Sequence, residues 1–149
     1  MISLVAIDRD GTARGVALAL DGVAGDVVRG TTALYDAVGF QEPWIGYIAM
    51  RDGIAIGTCA FKSPPLDGRV EIAYFTFPEF EGRGVASAMA AELVAMAQRG
   101  DPSVTVAAQT LPARNASHRI LEKLGFEHVD TLEHPEDGTV WEWQLPRAV

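Results

Sequence analysis

The chain of 149 residues has the length of one average domain, and its 48% hydrophobic and 21% charged residues are the composition of a soluble globular protein, not of a disordered one. Twelve Lys and Arg against twenty Asp and Glu leave a formal charge of −8, which lacks the cationic field that sequence-independent nucleic-acid binding requires. A single cysteine, Cys59, excludes an internal disulfide, and three histidines (His118, His128, His134) without CxxC, HxxxH or HExxH spacing give no zinc site, so neither nucleic acid nor a metal is expected.

Residues 2–7 are β-type and have no basic leader or small-residue cleavage site beside them, so they read as a first strand and not as a signal peptide. A helix is expected over 24–38, where Val27, Val28, Leu34 and Tyr35 recur at spacings compatible with one buried face. Two β-rich runs follow, 44–50 and 54–62, joined by Arg51-Asp52-Gly53, whose Asp-Gly pair supplies the positive φ of a tight hairpin turn. Pro64-Pro65 breaks the pattern before a further strand over 70–77, which Pro78 ends.

From 84 to 98 helix formers dominate, with Val85, Met89, Leu93 and Met96 at three- and four-residue steps and Gly100-Asp101-Pro102 as the stop. The longest apolar stretch, 84–97, is too short to span a bilayer and contains Glu92, so no membrane partner is expected. A strand over 104–108, a helix from about 113 to 124 stopped by Gly125, and two strands around 126–132 and 140–145 complete the order. Hairpin-paired strands ahead of one strand-helix-strand unit predict an α/β (α+β) fold: a mixed, mostly antiparallel sheet with a central parallel pair and helices on both faces. Residues 1–149 are expected to form a single domain in the cytoplasm, with homodimerisation left open.

The informative segment is Phe77-Pro-Glu-Phe-Glu81-Gly82-Arg83-Gly84-Val85-Ala86-Ser87, a strand, a Gly-rich turn and the start of a helix. A helix N-terminus carries unpaired N–H groups and partial positive charge, and glycines let a phosphate approach the backbone. The alternative is a tight strand-to-helix connection and nothing more. The P-loop pattern is absent, because Val85 follows Gly84, and the dinucleotide-binding pattern fails because Ser87 stands where its third glycine belongs.

At Gly84 and Ala86 the turn matches the acetyl-CoA signature Q/R-x-x-G-x-G/A, with Glu81 in place of the first residue. Together with Gly57-Thr-Cys-Ala-Phe61, Pro64-Pro65, Val70-Glu71-Ile72-Ala73-Tyr74, Asn115-Ala-Ser117, Leu121-Glu-Lys-Leu-Gly125-Phe126 and Trp141-Glu-Trp143, in that order, the chain resembles the GCN5-related N-acetyltransferases (GNAT), and among them the ribosomal-protein-alanine branch. The resemblance implies acetyl-CoA as co-substrate and a primary amine as acceptor, on a protein, a peptide or a small molecule, with the amine attacking the thioester directly. It also implies that the parallel pair splays apart around the pantetheine, with the backbone of Phe75, Thr76 and Phe77 pairing its amides. The diphosphate would meet Glu81, Gly82, Arg83, Gly84, Val85, Ala86 and Ser87, and Asn115 would cap a helix or touch the CoA backbone.

Glu71 is the first candidate for the base that deprotonates the amine. Strand alternation puts it with Ala73, Phe75 and Phe77 on one face, among apolar neighbours; the other reading is a carboxylate paired with Arg69. The tyrosine that many members carry on the last helix is replaced by Leu121, so Ser117 is the candidate to protonate the leaving thiolate, or else a first-turn residue bonded to its own backbone. Tyr74 reads as sheet packing, Cys59 as a small core residue, His118 as a solvated residue, and Trp44, Trp141 and Trp143 as core or groove wall. A non-catalytic acyl-CoA-binding module is the competing expectation, motivated by Leu121 and Glu81.

Overall fold

The computed structural model describes residues 2–16, 22–113 and 115–146. Seven strands form one sheet: β1 (Ser3–Ala6), β2 (Gly46–Arg51), β3 (Ile54–Phe61), β4 (Arg69–Thr76), β5 (Thr105–Thr110), β6 (Glu127–His134) and β7 (Gly138–Gln144). Their spatial order is β1-β2-β3-β4-β5-β7-β6, with every neighbouring pair antiparallel except β4 and β5. The mixed sheet with one parallel pair at its centre is therefore as the sequence implied. The β2–β3 turn has Asp52 at φ 53° and Gly53 at φ 76°, the two positive angles that a two-residue hairpin loop needs.

Three helices cover the sheet: α1 (Gly22–Val38), α2 (Val85–Gly100) and α3 (Ala116–Lys123). In α2 the buried residues Val85, Met89, Ala90, Leu93 and Ala97 recur as one stripe, and each fully buried Leu or Met contributes about 1.5–3 kcal/mol. Asp101 ends the helix, its extended backbone placing its N–H on Ala97 O at 2.9 Å. Helix α3 starts later than its sequence suggests because Asn115 caps it, Oδ1 accepting from His118 N at 3.2 Å, and it ends where Gly125 takes φ 97°.

Register assigns the helices to faces. Gly46 and Ala60 pair, and a Cβ on Gly46 would lie 2.6 Å from Thr31 Cγ2, so α1 lies on the face shared by Ala60 and its β4 partner Ala73. Gly57 points the other way, toward Met89 of α2. Helix α3 shares that second face, because His118 stacks on Trp143, which pairs with Ala108. Glu71, Ala73 and Phe75 thus face α1, whereas Val70, Ile72, Tyr74 and Thr76 face α2 and α3.

Gly57 sits where β3, β4 and α2 come closest: a Cβ there would meet Phe75 O at 2.7 Å and Met89 Cε at 3.1 Å. Because one of those atoms is backbone, Gly57→Ala is expected to destabilise the fold by about 1–3 kcal/mol. A urea unfolding midpoint unchanged from wild type would show that the sheet yields there at no cost.

Candidate functional site

The site is created by where pairing stops. Strands β4 and β5 pair over four positions, from Arg69↔Thr105 to Ile72↔Ala108. Beyond that point β4 continues with β3 as far as Thr76, and β5 continues with β7 as far as Thr110. The two strands diverge, and the β5-facing edge of residues 73–76 has no strand partner. The cleft that opens beside it measures about 560 Å³ and is walled by Tyr74, Phe75 and Thr76 of β4, by the turn and first residues of α2, and by Ala116, Ser117 and Ile120 of α3.

At the mouth of this cleft the chain turns into α2. Gly82 and Gly84 both have φ 76°, a conformation that resists a side chain, and Gly84 is the N-cap without a capping side chain. Ala88 N–H is the first to close on the helix, at 3.1 Å from Gly84 O. The amides of Val85, Ala86 and Ser87 lie ahead of it on the cleft wall, and the first turn holds no acidic residue. Glu81 also lines the cleft but is exposed.

Not every residue predicted for this cleft is in its wall. Phe77 is buried, and its N–H donates to Ile56 O at 3.0 Å. Arg83 lies over the Phe80 ring, 5.8 Å from its centroid, in a separate cavity with Arg51 and Ile54. Asn115 serves as the α3 cap. Phe75, Thr76, Glu81, Gly82, Gly84, Val85, Ala86, Ser87 and Ser117 do line the cleft.

Glu71 lies on the α1 face, and its setting differs from the apolar one expected. Its Oε2 stands 2.6 Å from Lys62 Nζ, an ion pair outside hydrogen-bond geometry, and its Oε1 lies 3.4 Å from Arg69. The reason is cross-strand: β3 returns alongside β4 and brings Lys62 back to Glu71, whose carbonyl accepts from Lys62 N–H at 2.9 Å. Arg69 is shared with Glu142 on β7, which also accepts from Gln144 Nε2 at 2.9 Å and Gln109 Nε2 at 3.5 Å. Burial pushes the Glu142 carboxyl up, but the Arg69 guanidinium and the Gln144 and Gln109 amides more than offset it and hold the group below its ordinary value. A smaller cavity of about 120 Å³ is lined by Lys62, Glu71 and Gln109.

Tyr74 and Ser117 line both the cleft and this smaller cavity, and they are the residues common to the two walls. Burial pushes the Tyr74 phenol above its ordinary value, and the Ser117 hydroxyl opposes that shift without cancelling it. Tyr74 was read as packing alone; alternation had given its face, and what the sequence lacked was that the first turn of α3 docks on that face. Leu121 is fully buried in the core. His118, expected in solvent, is 3% exposed, because its ring lies 4.5 Å from Trp143 and 5.7 Å from Trp141. Trp44 and Trp143 are core residues, and so is Cys59, whose thiol burial pushes well above its ordinary value, with Glu92 adding to the shift. Among the described residues no group of three or more His, Cys, Asp and Glu is placed to hold a metal ion.

This arrangement of splayed strands and glycine turn falls within a known family: residues 24–127 match the acetyltransferase (GNAT) domain. The chain belongs to the GNAT family. Among curated proteins this GNAT domain is 28% identical to the N-acetylaspartate synthetase of Rattus norvegicus over 89 residues, 59% of this chain and 29% of that protein, so it spans well under half of that relative's length. Among solved structures, the aminoglycoside acetyltransferase AAC(6')-Ib in complex with coenzyme A is 26% identical, with a TM-score of 0.59 over 69% of this chain and 66% of that one. The ribosomal-protein-S18-alanine N-acetyltransferase of Escherichia coli superposes over 100% of this chain and 96% of its own at a TM-score of 0.68, and at 11% identity it shares the fold.

The Arg69–Glu142 pair makes a prediction about acid stability. A carboxyl held below its ordinary 4.5 stabilises the folded state above that value and stops doing so as the pH falls through the lowered one. Wild type should therefore lose stability below pH 4.5 partly through Glu142. Glu142→Gln should lower the urea midpoint at neutral pH and shrink its further drop in acid. An equally steep acid limb in the variant would assign the loss to other carboxyls.

Proposed function

We propose that this GNAT domain transfers the acetyl group of acetyl-CoA to a primary amine by direct attack within a ternary complex. The observation that carries the reading is the shared boundary of the two cavities at Tyr74 and Ser117: a cleft suited to a phosphorylated, amide-bearing ligand on one side, an ion-paired carboxylate on the other. The fit to acetyl-CoA rests on backbone. The unpartnered edge of residues 73–76 suits the pantetheine amides, as an added strand would, and the N–H groups of Val85, Ala86 and Ser87 behind two glycines suit the diphosphate. Exposed Glu81 reaches solvent, where its charge is screened. The coenzyme A bound to AAC(6')-Ib supports the same choice.

When bound, acetyl-CoA supplies an acyl group already activated as a thioester. What the chain must supply is position and proton management. Glu71 takes the proton of the entering ammonium, directly or across one water, with Lys62 and Arg69 keeping its carboxylate oriented. On this reading Ser117, which borders both cavities, assists the departing sulfur. On this reading the base and the Ser117 hydroxyl approach from opposite faces of the sheet and act on a group lying between β4 and β5. The acceptor on this reading is a protein or peptide N-terminus or a small-molecule amine, met in the cytoplasm.

The deciding experiment supplies acetyl-CoA with a panel of amines and peptides and measures free thiol together with the mass of the acetylated product. Thiol release that depends on an amine is expected; acetyl-CoA binding without release for any amine would leave a binding module. Gly84→Glu places a charge and a side chain at a φ of 76° beside the helix N-terminus, so isothermal titration should show acetyl-CoA binding lost in a folded variant, and an unchanged affinity would remove the diphosphate from this turn. Glu71→Gln keeps the shape and removes the proton acceptor, and turnover should fall by about two to four orders of magnitude with acetyl-CoA affinity unchanged. An unaltered rate across the pH profile would make Glu71 purely structural.

A further inference from the structure

Beside Glu71, on its own face of the sheet, lies space that the proposed proton transfers leave unused. Ala73 stands two residues along β4, about 7 Å away, and borders both the Glu71 cavity and a separate apolar cavity of about 180 Å³. Toward this second cavity stand Val27 and Thr31 of α1, Thr58 and Ala60 of β3, and Ala73 and Phe75 of β4. Register brings them together: Ala60 pairs with Ala73 and Thr58 with Phe75, and α1 packs on the face that these residues share. None of the six carries a charge, and the Thr31 hydroxyl is spent on Val27 O at 3.0 Å. Phe75, 42% exposed, also lines the large cleft, so the apolar cavity adjoins the Glu71 cavity at Ala73 and the cleft at Phe75.

The charges around Glu71 are already matched. Lys62 pairs with Glu71, and Arg69 with both Glu71 and Glu142, so this cluster keeps no spare cation for a carboxylate and no second carboxylate for a further ammonium. A charged group entering the apolar cavity would give up its hydration without gaining a partner. An apolar group gains about fourfold in affinity for each methylene it buries. We infer that the acceptor is a primary amine whose nitrogen-bearing carbon carries an uncharged apolar chain, seated between α1 and β4 while the nitrogen meets Glu71. This rests on the reading given under Proposed function and narrows its acceptor. An apolar cavity of about 150 Å³ holds a benzene molecule, so the space here suits a chain of about four to six carbons and is underfilled by a methyl group.

The test measures acceptor affinity apart from turnover. Glycinamide, alaninamide and leucinamide, titrated into protein saturated with CoA so that no transfer occurs, should bind with affinity rising on the order of a hundredfold from the first to the last. The α-amide of aspartate and lysinamide should bind no better than glycinamide, and with acetyl-CoA the values of kcat/KM should follow the same order. Ala60→Val narrows the cavity from β3 and should cut the leucinamide-to-glycinamide affinity ratio about tenfold; should that variant not fold, Val27→Phe fills the cavity from the helix and the same collapse is expected. Equal affinity for glycinamide and leucinamide, a charged amide that matches leucinamide, or an unchanged ratio in the folded variant would overturn the inference. A peptide beginning with leucine and 3-methylbutylamine carry the same chain with and without a polypeptide behind it: either one exceeding glycinamide supports the seat, and the better of the two names the source. Absence of thiol release with every amine would end the acetyltransfer reading alone, since the affinity order is read without turnover.

Discussion

The molecule depends on a hydrogen-bonding conflict at the centre of its sheet. Strand β4 is committed to β3 on one side and β5 to β7 on the other, and over their last residues these commitments diverge, so the parallel ladder ends at Ile72↔Ala108. Backbone donors and acceptors that lose a strand partner near the core must find another. The edge of residues 73–76 is thus left open to a partner other than a strand of this sheet. The opening also makes a passage between the two faces of the sheet, which is why residues of opposite faces, Glu71 and Ser117, line one cavity.

Around that opening the parts have different tolerances. The turn into α2 relies on backbone conformation, with Gly82 and Gly84 set by angle, since a Cβ at either would find empty space. Glu81, where the family signature has another residue, leaves this glycine geometry unchanged. The Glu71 side of the opening relies on side chains held by one another. Arg69 joins Glu71 to Glu142, and Gln109 and Gln144 fill the remaining acceptor positions of Glu142. Removing one member of such a network leaves the others buried and unmatched.

Much of this was legible in the sequence, because much of it is local. The Asp52-Gly53 hairpin, the glycine turn before an apolar helical stripe, and the cap at Asn115 are decided by residues within one turn of each other. What was misread involves partners distant in the chain. Glu71 was expected among apolar residues or else paired with Arg69; the Arg69 pairing is present, whereas Lys62, just beyond β3, and Glu142 on β7, 73 residues beyond that arginine, lay outside what one strand's alternation describes. His118 was assigned to the solvated face of the last helix for want of convergent partners nearby in sequence, and the two β7 tryptophans that cover it lie 23 and 25 positions on. Tyr74 was assigned to the correct face, yet its neighbour depends on where α3 docks, which no periodicity encodes.

Helix α1 walls an apolar cavity near one end and is held by hydrogen bonds near the other. The helix is pinned near its C-terminal end: Tyr35 accepts from Gly46 N–H at 2.8 Å and donates to Ile7 O at 2.8 Å, gripping β1 and β2 together. Val27, which walls the apolar cavity, lies eight residues nearer the N-terminus, about 12 Å along the axis. A tilt of about 10° around the pin carries Val27 by about 2 Å over that lever arm, roughly the thickness of a methylene group. A substitution at Tyr35 or Gly46 that loosened this grip would therefore reach the apolar cavity from the far end of the helix, through the placement of Val27 and not by contact with it.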